Sequence, residues 1–447
     1  MSANPTIEEL LGIIKELRCK VAQLEEELSF YKNRKNSNNS HLPPSKDENR
    51  PLRNQSLRQS SGKNVGGQPG HDGKTLELSA DIDEVIEHIP TFCNCCGKDL
   101  SSIAEVLSDK RQVIDIPPIK PIRTEHRTFN KTCSCGHTTH GQFPQYVKSP
   151  VQYGSNVEAL IAYMHARQYL PFNRMKEFFS DVMGLPVSEG GIHHILERFG
   201  QKSLPLYTQI KERIKNAVSL GSDETGAKVN GKKHWFWTWQ NDELTFIVHS
   251  DNRGFKTIEN TFENGLPNAV LQHDRWASHF QCNAQHHQIC IAHLLRDLNY
   301  IKELYQSQWA KQFKVLLQKA IVLKKELTHH QYFNENIERQ VLEQNLCELL
   351  TTMLPTNHKK AKTLQKKLIK HQHYILYFLH HPKVPPDNNG SERAIRNIKV
   401  KQKISGQFKS VTGADCFAVI RSVIDTTIKS GQNILDALFL IAKFGTN

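Results

Sequence analysis

Apolar residues recur at alternating three- and four-residue steps from residue 7 to residue 31. Ile7, Ile14, Val21 and Leu28 occupy one heptad position, and Leu10, Leu17, Leu24 and Tyr31 the other. Eight consecutive matches flanked by Glu and Lys predict one long helix, read either as the seam of a homodimer or as an amphipathic helix packed on its own domain. Three β-branched residues at the first position and three Leu at the second favour a parallel two-stranded coiled coil over residues 1–33. The pattern then stops. Residues 34–74 carry NSNNSHLPPSKDENRP and GKNVGGQPGHDGK, with eight Lys or Arg against three Asp or Glu. Such a segment cannot bury a core and reads as a flexible basic linker over 34–80, either a tether or a strand laid along a phosphate backbone.

Short alternating runs (VIEHI, QVIDI, EHRTF) predict a small β-rich domain over 81–148. Residues 149–217 read as helical. Within them FNRMKEFFSDVMG, a short LPV link and SEGGIHHILERFG predict two helices joined by a tight turn, with Ser188 capping the second. Ordinary helix packing and a helix-turn-helix that enters DNA both fit. From 218 the period changes to two. SLGSDETGAKV and HWFWTWQ flank Asn230-Gly231, a strong hairpin signal, and LTFIVHS follows the Asn241-Asp242 turn. A helical stretch (GFKTIENTF), a fourth strand (AVLQHD) and a fifth supplied by QICIAHLL, which runs into a helix, complete a strand order expected of an RNase H-like core over 218–290. Residues 291–385 predict an all-helical insertion, 386–435 a second part of the core, and 436–447 a tail. The fold class expected is multidomain α+β: coiled coil, β-rich metal-binding domain, helical region, and an α/β catalytic domain interrupted by helices.

Charge narrows the partners. Lys and Arg outnumber Asp and Glu by 58 to 45, a formal net charge of +13 with a pI near 9.1, which favours a polyanion such as DNA. No run of 18 apolar residues and no apolar signal core occurs, so a cytoplasmic protein without a membrane span is expected. In that compartment ten cysteines read as reduced thiols or metal ligands.

Two thiol pairs have metal spacing. Cys93 and Cys96 form C-x-x-C-G; Cys133 and Cys135 form a compressed C-x-C-G. A Gly after each pair permits the tight turn that aims backbone N–H groups at thiolates. Four such thiolates suit a structural, tetrahedral Zn²⁺, with Cys95, His137 or His140 as substitutes. A second constellation is acidic: Asp223 in GSDETG, Asp274 in LQHDRWASH and Glu392 in DNNGSERAIRNIKVKQK. Side chains alternate along a strand, so Asp223 and Glu224 face opposite sides and only one joins a given site. The first and fourth strands of this order are neighbours, which brings Asp223 and Asp274 together. Three carboxylates from separate elements suit Mg²⁺ (or Mn²⁺), which activates an oxygen nucleophile against a phosphodiester. Taken singly, the three acids read as a strand-end residue, a helix cap and an ion-pair partner of Arg396. After Glu392 come Arg393, Arg396, Lys399, Lys401 and Lys403 without an acid, a candidate DNA contact. Cys290 and His293 are read as supporting residues at the end of the fifth strand.

The chain resembles the IS sixty-six family of insertion-sequence transposases. SNNSHLPPSKD, GGQPGH, the C-x-x-C-G knuckle, SDETG, HDRWASH, C-x-A-H-L-L-R-D-L and NNGSERAIRNIKVKQKISGQFKS carry the resemblance nearly end to end. It implies a DDE active site at Asp223, Asp274 and Glu392, a zinc-binding DNA-recognition region, the element's ends and a target as DNA partners, and small accessory proteins. The alternatives left open are a plain RNase H-like nuclease and a DNA-binding regulator.

Overall fold

The computed structural model describes residues 6–36, 39–40 and 76–445. The linker expected at 34–80 lies mostly outside the described residues. The chain divides into two units, residues 52–121 and the remainder.

Helix α1 (Ile7–Lys32) starts at a capping box: Thr6 accepts the Glu9 N–H, and the Glu9 carboxylate accepts the Thr6 N–H at 2.8 Å. Its apolar seam stays open, with Leu17 55% and Leu24 58% exposed. Near its end the Lys360 ammonium lies 4.8 Å from the Phe30 ring.

The β-rich expectation for 81–148 is corrected. Residues 76–121 contain no strand, only an isolated bridge from Phe92 to Asp99. Further on, β1 (Asn130–Thr132) and β2 (Thr138–His140) form one short antiparallel pair. Alternation produces a sheet only where one face has a layer to bury against. Val85, Ile86, Val113 and Ile114 are all exposed.

Three helices follow: α2 (Ser155–Ala166), α3 (Phe172–Asp181) and α4 (Glu189–Lys215). The Ser188 hydroxyl accepts the Gly191 N–H and opens α4 as its sequence predicts. A five-stranded mixed sheet comes next: β3 (Ser219–Val229), β4 (Lys232–Gln240), β5 (Thr245–Ser250), β6 (Leu266–His273) and β7 (Ala284–Ile289), with α5 (Phe255–Thr261) and α6 (Ala277–Phe280) between strands. Strand order is β5-β4-β3-β6-β7. The β3–β4 and β4–β5 pairs are antiparallel; β6 runs parallel to both β3 and β7. Asn230 (φ 46°) and Gly231 (φ 75°) make the first hairpin, a turn that needs positive φ at both positions.

Helix α7 (Ile291–Tyr305) leaves the sheet and leads into α8 (Gln308–Glu326), α9 (Ile337–Thr351) and α10 (Lys359–Lys370). These helices close a core of their own around Leu298, Phe313, Leu317 and Leu368, joined to the sheet through Val270 and Ile289. Then α11 (Asn389–Ser405), α12 (Val411–Lys429) and α13 (Ile434–Phe444) complete the fold. The main core joins α2, α3, α4, α12 and α13 to the sheet around Phe199, Trp237, Trp239 and Phe417. The expected tail at 436–447 is corrected: most of α13 lies there, burying Leu438, Ile441 and Ala442 at helical spacing. No helix among the described residues is long and apolar enough to cross a membrane.

Candidate active site

In the β3–β6 ladder Gly221 is opposite Gln272, so two residues further on Asp223 comes level with Asp274, just beyond the end of β6. The parallel pairing of the first and fourth strands does what their order predicts. Asp223 is 9% exposed. Burial, then the charges of Asp274 and Glu224, and also that of Glu392, raise its carboxyl well above the usual range. Asp223 and Glu224 are neighbours on β3, and the Asp274 charge acts on both. Burial and the Asp274 charge push Glu224 up to about 7, against the pull of the Arg253 guanidinium at 2.8 Å.

Asp274 is set by a sharp turn. Arg275 is left-handed (φ 75°), a costly conformation for a residue with a Cβ, and its guanidinium pairs with Asp297. The turn lets an Asp274 oxygen accept the Trp276 N–H at 3.0 Å. The imidazole of His279 lies beside it, fully buried, with Nδ1 3.9 Å from Asp274 Oδ1. Its Nε2 is 3.1 Å from the Ser222 hydroxyl and 3.8 Å from Glu224 Oε2. Burial lowers this imidazole to about 4. His279 Nδ1 and Glu224 Oε2 are both buried without a hydrogen-bond partner among the described residues. Arg253 holds the outer oxygen of Glu224 while its guanidinium lies 3.8 Å from the Trp276 ring and 4.8 Å from that of Trp235.

Glu392 arrives on the first turn of α11, docked on the sheet by the residues before it. The Asn388 amide donates to the Ser222 carbonyl at 2.7 Å, and the Ser391 hydroxyl donates to Asn388 Oδ1 at 2.7 Å. Close approach requires two glycines. A Cβ on Gly221 would meet Asn388 Oδ1 at 2.4 Å and Ser391 Oγ at 2.6 Å; one on Gly390 would meet Gln240 Nε2 at 2.3 Å. Among the described residues Glu392 Oε1 is buried with no hydrogen-bond partner, 3.6 Å from His293 Nε2 and 3.7 Å from Arg296 Nη1. Cys290 sits at the joint: its N–H donates to the His273 carbonyl at 2.9 Å, and its sulfur accepts the Asn388 N–H at 3.3 Å. Cys290 and His293 thus face the segment carrying Glu392 as well as the end of β6.

The three acids converge but their oxygens do not all lie within 4.8 Å of one another. Among the described residues the group that meets that limit is His273, Asp274 and His279.

A model described as "Transposase IS66 family" matches residues 150–416, well over half of the chain. The chain belongs to the IS66 transposase family. Residues 90–136 match the zinc-finger binding domain of transposase IS66, and residues 2–77 a family of unknown function, DUF6444. A protein of Sinorhizobium fredii (strain NBRC 101917 / NGR234), titled Uncharacterized protein y4jD, is 23% identical over 412 residues, 84% of this chain and 77% of its own length.

In this IS66 chain the zinc-finger domain carries two turns built alike. In the first, the Lys98 carbonyl accepts the Cys93 N–H at 2.9 Å, Gly97 is left-handed (φ 70°), and the Cys96 and Cys95 N–H groups lower the Cys93 thiol. In the second, the His137 carbonyl accepts the Cys133 N–H at 2.8 Å, Gly136 is left-handed (φ 84°), and the Cys135 N–H lowers the Cys133 thiol. Donors aimed at the sulfurs favour thiolates, the ligand form. His140 is engaged elsewhere, with Nδ1 2.9 Å from Asn130 Oδ1.

The basic run after Glu392 divides. Arg393, Arg396 and Lys403 are exposed, and the Lys399 ammonium caps the Gly226 carbonyl. Lys401 is corrected as a DNA contact. It is buried, with its ammonium 3.3 Å from both His165 Nδ1 and the Leu170 carbonyl, and burial lowers it to about 8. Sequence reading missed Glu224, His279, Arg253 and the Gly221–Asn388–Ser391 joint. HDRWASH and NNGSER held several of these residues but gave no sign of what each touches.

Proposed function

We propose that this transposase cleaves DNA at its element's ends and joins the freed 3′-hydroxyl to target DNA, through a DDE set of Asp223, Asp274 and Glu392 on an RNase H-like core. The observation that carries the reading is electrostatic. Three acids distant in sequence come close enough that Asp274 and Glu392 both raise the carboxyl of the buried Asp223. Repulsion of that kind is relieved by a dication, and Glu392 Oε1, which has no hydrogen-bond partner among the described residues, is available as a ligand. Asp223, Asp274 and Glu392 therefore fit Mg²⁺ (or Mn²⁺). Such ions supply a polarised phosphodiester and an activated oxygen nucleophile. The chain's own residues do the rest: Asn388 and Cys290 fix the start of α11, His293 and Arg296 lie against Glu392, and the exposed Arg393, Arg396 and Lys403 are the proposed contacts to a phosphate backbone. The strand order with its first three strands antiparallel supports the RNase H-like assignment.

The other parts follow from the same reading. Cys93, Cys96, Cys133 and Cys135 would hold a structural Zn²⁺, supported by the matching thiolate-donating turns. The open seam of α1 favours a parallel dimer, and α3 with α4 is the candidate helix-turn-helix for the ends. The domain limits are those set out above, with the last helix added to the core. Accessory proteins of the same element rest on the family alone.

The deciding experiment is a cleavage and joining assay on duplexes carrying the element's ends, wild type against Asp223→Asn. The variant is expected to bind and to do neither step. Cutting by Asp223→Asn overturns the assignment; wild-type cutting without joined products makes the protein a nuclease; an unaltered phenotype without cutting makes it a regulator.

A further inference from the structure

We propose that the outward face of α10 is a track for the phosphate backbone of duplex DNA, leading to the catalytic end of the sheet; the inference rests on the transposase reading for its role but not for its test. The sequence of this helix, KKAKTLQKKLIK, holds six lysines and no acid. Ala361, Leu364 and Leu368 turn inward at helical spacing, so the lysines are left outside. Lys362, Lys366, Lys367 and Lys370 are exposed, and among the described residues none of the four makes an ion pair. Lys362 with Lys366, and Lys366 with Lys370, are like charges one turn apart, an arrangement that weakens a free helix. A polyanion laid across them removes that penalty.

The helix is fixed in a useful place. At its far end the Lys360 N–H meets the Tyr305 hydroxyl at 3.3 Å, at the last residue of α7. Just beyond its near end the His371 ring stacks on Phe280 at 4.0 Å, and Phe280 closes the short helix that follows Asp274. The next residues are tied to β7: Gln288 donates to the Ile375 carbonyl at 3.0 Å and accepts the Phe378 N–H at 2.7 Å. The lysines therefore run from the outer end of α7 toward the end of the sheet where Asp274 sits. Twelve helical residues span roughly 18 Å, about five base steps of B-DNA.

The chemistry selects the partner. An anionic membrane surface takes a helix whose apolar face is free to enter it, and here that face is spent on the core of the insertion. A flexible row of ammonium groups over a buried base suits a regular array of phosphates and reads no sequence.

The test uses the full chain with Asp223→Asn, so that binding is read without chemistry. Lys362, Lys366, Lys367 and Lys370 are changed together to Gln, and affinity for a random-sequence duplex is followed from low to moderate NaCl. The log–log salt slope is expected to fall in magnitude by up to roughly 3.6, at about 0.9 per lost phosphate contact, with affinity weakened at least ~10-fold. Lys366→Gln with Lys370→Gln should give about half that change, which keeps the test alive if the fourfold variant misfolds. Lys319→Gln with Lys325→Gln, exposed lysines on α8, should leave the slope unchanged. Equal slopes for wild type and the α10 variants overturn the track whatever the cleavage assay shows. A reduced slope in the α10 variants, when the chain with Asp223 intact also cuts nothing, keeps the track and discards the transposase mechanism. Loss of vesicle binding with an unchanged DNA slope replaces DNA with a membrane and also overturns it.

Discussion

Gly221→Ala tests whether the docking of α11 on β3 sets the active site. The new Cβ would lie 2.4 Å from Asn388 Oδ1, 2.6 Å from Ser391 Oγ and 2.8 Å from Gln240 Nε2. Ordinary contact begins near 3.4 Å, so the start of α11 must retreat by about 1 Å, against a polar joint with no free space. Overpacking of this kind costs about 1–3 kcal/mol, and loss of the 2.7 Å Asn388–Ser222 bond about 1 more. The total is a sizeable part of the ~5–15 kcal/mol that holds a domain together, without exceeding it. The melting temperature should drop by several degrees while the protein still folds. Catalysis should suffer more, because a shift of about 1 Å in a positioned group costs on the order of 100-fold in rate. The assay is cleavage of end-bearing duplex under saturating DNA, paired with a thermal melt and a binding titration. Gly190→Ala is the control: its Cβ meets nothing within 4 Å, and Ala is the better helix former. Wild-type cleavage by Gly221→Ala at reduced stability would refute the claim that this joint positions Glu392.

His279→Ala should raise the Mg²⁺ concentration needed for half-maximal cleavage by ~10–100-fold with DNA affinity unchanged, because the imidazole lies between Asp274, Glu224 and Ser222. His279→Asn, which keeps a donor near Asp274, should recover part of the loss; superimposable metal titrations would remove the positioning role. Zinc content should fall from one ion per chain in Cys93→Ser and stay at one in Cys95→Ser, and the reverse result would reassign the ligands. Deleting residues 7–31 should halve the solution mass by light scattering, since the open seam of α1 is the proposed dimer contact; an unchanged mass would place the contact elsewhere.

Much of the sheet was legible because alternation and turn chemistry are local. Asn230-Gly231 fixes a hairpin before any tertiary contact forms, and the parallel β3–β6 pairing then follows from strand order. What was illegible depends on which side of an element meets the core. Lys401 lies nine residues after Glu392, about two and a half helical turns, so the two face opposite ways. Spacing reveals that opposition but not that the far face packs on His165 and Leu170. The same limit hides Gly221, whose need for a bare Cα arises only when a segment more than 160 residues later lies across it. The runs VIEHI and QVIDI failed in the other direction. Their period is right for strands, but residues 76–121 contain no layer for them to cover.

The long gap between Asp274 and Glu392 has a physical consequence. Helices α7 to α10 fill it with a core of their own, yet Glu392 is placed by bonds that bypass most of them: Asn388 to Ser222 and to Cys290, and the Ile291 N–H to the Pro386 carbonyl at 2.9 Å. Both ends of the insertion are thus pinned within a few residues of the sheet's end. What lies between contributes His293 and Arg296 beside Glu392 and, further out, the lysines of α10. Geometry at the acids is therefore set mainly by the sheet and its joint with α11, while the lysines of α10 form a basic surface set apart from it. Substitutions in the first group should act on rate and metal demand, those in the second on affinity and its salt dependence. A lysine variant of α10 that altered the metal requirement at saturating DNA would break that separation.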